Sequence, residues 1–282
     1  MLRLLIQELR FRRNAIIGWA IGLSILPAMY VGIYPQFAED LEGMQNIMDM
    51  DIYKAMGMSF GTFEDWVAST VINIVPIILA IYAVIDGTGT LAGQEDSGKL
   101  ELIVALPIPR WQIVTVKAIA HGLALFLILL LVSITTTIVF LSIESQVETT
   151  LVATDVFLGL LYTWPIVMAF GMISLLLGAF CPRRRIAALL ATVVVAASYF
   201  GDNLSSQVSV LESIQPFFLF HYLDATANIF ETGPESSNVL VLLAVALIAF
   251  LLAIVFFQRR DLTVGAWPWQ RGKLPAGAPG SA

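Results

Sequence analysis

The chain has 282 residues, of which 58% are hydrophobic and only 13% charged. Soluble domains carry about 25% charged residues, so this composition excludes a soluble globular protein and points to one embedded in a membrane. A single cysteine, Cys181, rules out an internal disulfide, two distant histidines leave no soft-metal ligand set, and a net charge of −6 without a basic face excludes nucleic acid as a partner.

Taken in chain order, residues 1–14, "MLRLLIQELRFRRN", place Leu2, Leu5, Ile6 and Leu9 on one helical stripe and Arg3, Gln7 and Arg10 on another face. That pattern predicts an amphipathic helix in the headgroup layer, beside the plainer reading of a basic flank that fixes orientation. Six apolar runs follow within a membrane domain of residues 15–263: 15–34, 66–85, 118–143, 156–180, 186–200 and 238–257. The fifth has 15 residues. A helix of that length covers about 22 Å of a ~30 Å core. Either its neighbours complete the crossing, or the apolar segment beyond it, within residues 201–237, dips back as a re-entrant element or forms short outer helices. The outer loop 35–65 is acidic and methionine-rich, which suits a surface helix better than a metal site. Residues 264–282, rich in Pro, Gly and Ala, read as a partly disordered tail.

Charge orients these spans. With both termini on one side, 14 of the 15 Lys and Arg residues share that side and only Lys54 lies opposite. The positive-inside rule makes the Arg-rich face cytoplasmic. The expectation is therefore a multi-pass protein of a prokaryotic plasma membrane with both termini inside.

The spans themselves read as nearly free of ionisable groups, with Asp86 and His121 near their cytoplasmic ends. Such a core lacks both the relays of a proton-coupled carrier and the nucleophile, base or metal of a membrane enzyme. Most hydroxyls in it should bond back to their own helix. Thr70, Asn73, Thr192 and Ser198 are the candidates for a substrate path, Asn73 because its amide is costly to bury and Pro76 nearby frees a carbonyl. Pro76 and Pro165 predict kinks. Gly18 and Gly22 form a small-residue pair that permits close helix packing.

The loop after the second span contains "GQEDSGKL", residues 93–100, with the spacing of a phosphate loop. A phosphate loop follows a strand and holds magnesium through a Ser or Thr. Here a membrane helix precedes it and Leu100 occupies the Ser/Thr position. The segment reads instead as a surface helix capped by Ser97, with Leu100, Ile103 and Val104 as its apolar stripe and Pro107 and Pro109 as its stop.

This loop is similar to the signature region of the ABC type-2 export permeases. Glu95, Gly98, Leu100, Glu101, Leu102, Pro107, Ile108, Arg110 and Lys117 fall on that pattern, while Lys99 and Pro109 depart from it. The resemblance implies an all-α membrane fold of six helices and a cytoplasmic coupling helix between spans 2 and 3. It implies a dimer with a second copy or a sibling permease, two ABC ATPase subunits that carry ATP and Mg, and no cofactor on this chain. Glu95, Asp96, Ser97, Gly98, Lys99, Glu101 and Arg110 become the expected ATPase contacts. Arg183, Arg184 and Arg185 are a second contact or simple anchors. The substrate expected of such a path is a lipid, drug or other hydrophobic compound. The competing classes are a gradient-driven carrier and a membrane scaffold for an assembly machine.

Overall fold

The computed structural model describes residues 1–48, 61–97, 100, 108–205 and 212–259, with backbone alone for 39–48. The described residues contain helices and turns but no strand. Six helical spans are long and apolar enough to cross a membrane: Leu2–Ala38, Phe63–Asp96, Arg110–Gln146, Ala153–Phe180, Arg184–Ser205 and Ser236–Arg259. They are called spans 1 to 6. All six predicted runs fall within them, each lengthened at one end or both.

The lengthening has local causes. Thr62, in an extended conformation, starts span 2 by accepting the Asp65 N–H on its hydroxyl, with Glu64 and Asp65 favourably placed in the first turn. Pro109 starts span 3, its fixed φ leading into Arg110. Asp155 reaches back to the Val152 N–H at the start of span 4. Span 5 has 22 residues rather than the 15 of its apolar run. At 1.5 Å per residue that is about 33 Å, so with its neighbouring residues the helix is long enough to cross a ~30 Å core.

Two prolines have visible effects. Pro76 cannot donate to the carbonyl four residues back, and directly before it residues Ala68–Ile72 widen into a π turn, with the Asn73 N–H reaching the Ala68 carbonyl. Pro165 begins the second part of span 4, Trp164–Phe180, after a break at Tyr162 and Thr163. A second π turn, Gly89–Gly93, lies near the end of span 2.

The first helix runs from Leu2 to Met48, so it passes the expected boundary at residues 14 and 15 without a break. Span 3 lies between spans 1 and 4. Span 2 rests on span 4, and span 6 fills the angle between spans 3 and 4. Span 5 packs on spans 2 and 4 at the periphery. Adjacent spans alternate in direction. The start of spans 1, 3 and 5 and the end of span 2 therefore meet at one end, which carries the arginines, and the acidic loops gather at the other. Among the described residues, nothing lies within 4 Å of where a Cβ on Gly18 or Gly22 would stand.

The segment between spans 5 and 6 forms short turns at Gln215–Phe217 and Leu219–Tyr222 and a short helix, Asn228–Thr232. Gly233, at φ +68°, makes the left-handed turn into span 6 that a side chain would resist. Phe220 is buried against Phe170 and Tyr199, and its N–H donates to the Ser198 hydroxyl at 3.1 Å. A Cβ on Gly201 would lie 2.4 Å from the Phe218 ring, so only glycine leaves space for that side chain.

Candidate functional site: a buried charge cluster at the Arg-rich end

Three helices each bring polar side chains spaced four residues apart, and therefore on one face, to a common point. Span 1 supplies Glu8 and Arg12. Span 2 supplies Asp86, Thr90 and Gln94. Span 3 supplies Lys117 and His121. Arg12 Nε donates to both Asp86 oxygens at 3.1 and 3.0 Å, and its Nη2 donates to the Thr90 hydroxyl at 2.7 Å. Its Nη1 pairs with Glu8 Oε2 at 2.5 Å. Lys117 Nζ donates to Glu8 Oε1 at 2.8 Å and to Gln94 Oε1 at 2.7 Å. His121 Nδ1 donates to Asp86 Oδ2 at 2.6 Å.

The cluster is almost sealed: Arg12, Lys117 and His121 are 6%, 1% and 0% exposed. Burying an ion in a low-dielectric interior costs several kcal/mol unless it is paired and hydrogen-bonded. Here two cations face two carboxylates, and Thr90 and Gln94 take up further donors. The His121 ring lies against span 4, where a Cβ on Gly171 would come within 2.7 Å of its Nε2. The cluster thus fixes the positions of spans 1, 2 and 3 relative to one another, with span 4 as its wall.

This adds to the reading of a core almost free of ionisable groups: the charged residues stay at the helix ends, but there they converge and are buried. The residues fall in flanks that look like simple anchors when each helix is read alone. The spacings Glu8–Arg12, Asp86–Thr90–Gln94 and Lys117–His121 were the available signal. Each sets a polar stripe on one face of a helix otherwise bound for apolar surroundings.

Arg184 extends the cluster to span 5. Its side chain lies over the second π turn, where Cβ atoms on Gly89 and Gly93 would come within 3.2 and 3.0 Å of it. Its Nη2 donates to the Ile85 carbonyl, and its backbone N–H donates to Asp96 Oδ2, both at 3.1 Å. The loops after spans 2 and 4, read as two separate contacts in the sequence, are therefore tied to each other. Between spans 1 and 2, beside the cluster, opens a cavity of about 700 Å³.

The sequence profile of the ABC-2 family transporter proteins matches residues 2–262. The chain belongs to the ABC-2 transporter family. No curated protein matches it. As an ABC-2 transporter protein it is a membrane-embedded permease component, of a kind that associates with ABC ATPases and is generally not itself catalytic.

Within this ABC-2 permease the expected contact residues divide. Gly98, Lys99 and Glu101 lie outside the described residues. Glu95 is buried, 4% exposed, whereas Asp96 is exposed and holds the Arg184 backbone. Ser97 ends the helix of span 2, and its hydroxyl donates back to the Gln94 carbonyl. Leu100 is helical and fully buried. Arg110 is half-buried at the start of span 3, and Arg183 and Arg185 are exposed. The phosphate-loop spacing meets the wrong backbone. Residues 93–96 continue a membrane helix, and the Ser97 N–H is spent on the Gly93 carbonyl, so the amides are not free to converge on a phosphate.

The four expected path residues do not converge. Thr70 is buried and bonds to the Trp66 carbonyl of its own helix. Asn73 is buried beside Pro76, Thr192 is exposed, and Ser198 anchors Phe220. Thr135, Thr136 and Thr137 bond to carbonyls four residues back, as expected of hydroxyls in apolar helices.

Proposed function

We propose that this permease forms the transmembrane half of an ATP-driven exporter. It pairs with a second copy or a sibling permease, and two ABC ATPase subunits carrying ATP and Mg dock beneath the Arg-rich, cytoplasmic end. The single observation that carries this reading, beyond the family itself, is that the loop after span 2 emerges directly from the charge cluster. A displacement applied there by a partner reaches span 2 through its own backbone. It reaches span 5 through Asp96 and Arg184, and spans 1 and 3 through Arg12, Lys117 and His121. The open face at Gly18 and Gly22 supports the pairing, because close helix contact there is unused among the described residues. The substrate class that suits the apolar bundle is a lipid, drug or other hydrophobic compound.

Co-purification with an ATPase and ATP-dependent export from proteoliposomes are the expected results. Replacing Asp96 and Glu101 together by Ala should detach the ATPase or leave its hydrolysis running without transport. Unaltered export and unaltered complex formation would remove this loop from the contact. The buried cluster also gives a gradient-driven carrier a physical basis that the sequence lacked, since ionisable groups within spans serve as ion relays. Transport by the chain alone, driven by an ion gradient without ATP, would establish that second reading and end the first.

A further inference from the structure

At the acidic end, the last turns of span 5 carry Ser198, Gly201 and Asp202 at spacings of three and four, and therefore along one face. The turns of residues 215–222 lie across that face. Their middle is fixed by the Phe220 N–H on the Ser198 hydroxyl and by the Phe218 ring against Gly201. Their two ends meet at a single atom. Gln215 Nε2 donates to Asp202 Oδ1 at 3.2 Å, and His221 Nδ1 stands 3.7 Å from the same oxygen. The Tyr222 hydroxyl closes the segment on itself by donating to the Pro216 carbonyl at 2.8 Å.

The two ends differ in what holds them. The Gln215 bond is independent of any imidazole. The His221 contact is too long for a hydrogen bond and attracts as an ion pair only when the ring carries its second proton. The His221 and Asp202 side chains are 38% and 21% exposed, so the ring exchanges protons with the medium while the bundle stays closed. His121, by contrast, is sealed. Among the described residues Asp202 is the only acid within ion-pair distance of His221. On the segment itself Asp224 Oδ1 accepts from Thr226 instead, and Glu212 is exposed ahead of the first turn. Span 5 otherwise brings the Tyr199 phenol, packed on Phe220. Span 4 meets these turns through Phe170, and the only charged residue of span 6 is Arg259 at its far end.

We propose that the turns of residues 215–222 form a pH-responsive strap, in which protonated His221 locks onto Asp202 and the neutral ring lets that end go. An imidazole gains its proton between about pH 8 and 5, and a carboxylate keeps its charge above about pH 4. The pair therefore holds in a mildly acidic medium and is lost as the pH rises past neutrality. The other anchors remain, so the strap loosens at one end and does not detach. Phe220, next in the chain to His221, carries the change to the aromatic contacts on Phe170 and Tyr199. A partly exposed pair of this kind corresponds to about a two- to fivefold change in the opening equilibrium. The inference requires only that this end meets the medium and not that ATP drives the chain.

Hydrogen exchange of the full-length protein in nanodiscs tests the strap, read between about pH 5.5 and 8 and corrected for the chemical exchange rate. The Phe220 amide should open about two- to fivefold less often at the acid limit than at the alkaline one. Asp202→Asn keeps an acceptor for Gln215 but removes the charge, and His221→Gln removes the titrating ring. Both should flatten the profile at its alkaline level. His221→Lys, charged throughout this range, should hold the acid level up to the alkaline limit. Amides around Asp86 and Lys117, beside the sealed His121, should not follow the pH. A flat profile in the native protein, or one that survives both Asp202→Asn and His221→Gln, would overturn the proposal. So would a parallel change around Asp86, which would mark a response of the whole bundle. If Asp202→Asn does not accumulate, His221→Gln and His221→Lys, at a half-exposed position, decide the outcome.

Discussion

The two ends of the bundle are held by different physics. At the Arg-rich end, five ionisable side chains from three spans meet in a sealed network. At the acidic end the contacts are mostly aromatic: Tyr34 on Phe63 and Trp66, Phe63 stacked on Phe140, and Phe220 on Phe170 and Tyr199. Directional, charge-assisted bonds specify one arrangement of the helices and lose much of their energy when a partner shifts. Aromatic surfaces tolerate small slides and mainly exclude water. A mechanism driven from the Arg-rich end gains from this division, since a rigid junction transmits displacement and a greasy seal yields to it.

The largest effect should come from breaking the junction. Asp86→Ala removes the carboxylate shared by Arg12 and His121, leaving a buried guanidinium without its main partner. The expected loss is about 3–5 kcal/mol, read as a fall in the unfolding midpoint of the purified protein. Replacing Arg12 and Asp86 together by Leu should cost less than Asp86→Ala alone, because no unpaired charge then remains. If the single change leaves the midpoint unmoved, the cluster contributes nothing to stability and its role as a rigid junction fails. The loss should also change little between low and high salt, because sealed pairs are screened far less than exposed ones.

At the other end, Phe220→Ala should cost somewhat less. A buried aromatic truncated to Ala typically loses about 3–5 kcal/mol, and this one belongs to a short surface segment that can partly close over the gap. The informative readout is its location. Hydrogen exchange should rise in the turns of residues 212–232 and stay unchanged around Asp86 and Lys117. A rise at both ends would show the bundle behaving as one cooperative unit and dissolve the contrast between them.

The membrane fold was legible because its signal is long and one-dimensional: about twenty apolar residues per span and a one-sided distribution of arginines. Span ends were less legible: the second and third runs read from residues 66 and 118, whereas Thr62 and Pro109 start those helices. The charge cluster was hidden for a different reason. Glu8, Asp86 and Lys117 are 109 residues apart at their extremes, and each belongs to a helix end where polar residues are ordinary. Only the packing of spans 1, 2 and 3 turns three unremarkable i, i+4 stripes into one network. Glu95 shows the reverse failure. Its place in a loop motif suggested exposure, yet span 2 continues as helix through Asp96 and carries Glu95 inward.

The smallest effects separate two residues that look alike in the sequence. Thr192 and Ser198 both lie in span 5 and both qualified for a substrate path as hydroxyls in an apolar helix. In the structure Thr192 is exposed, whereas Ser198 accepts the Phe220 N–H at 3.1 Å. Thr192→Val should therefore stay within about 0.5 kcal/mol of the parent protein. Ser198→Ala should cost about 1 kcal/mol, the net worth of one buried hydrogen bond, and should speed exchange of the Phe220 amide in particular. Should Ser198→Ala alter which substrates are exported while the Phe220 amide exchanges as before, Ser198 touches the cargo directly. Should exchange rise while selectivity holds, its hydroxyl serves the outer seal, and the path must be sought on other faces of the bundle.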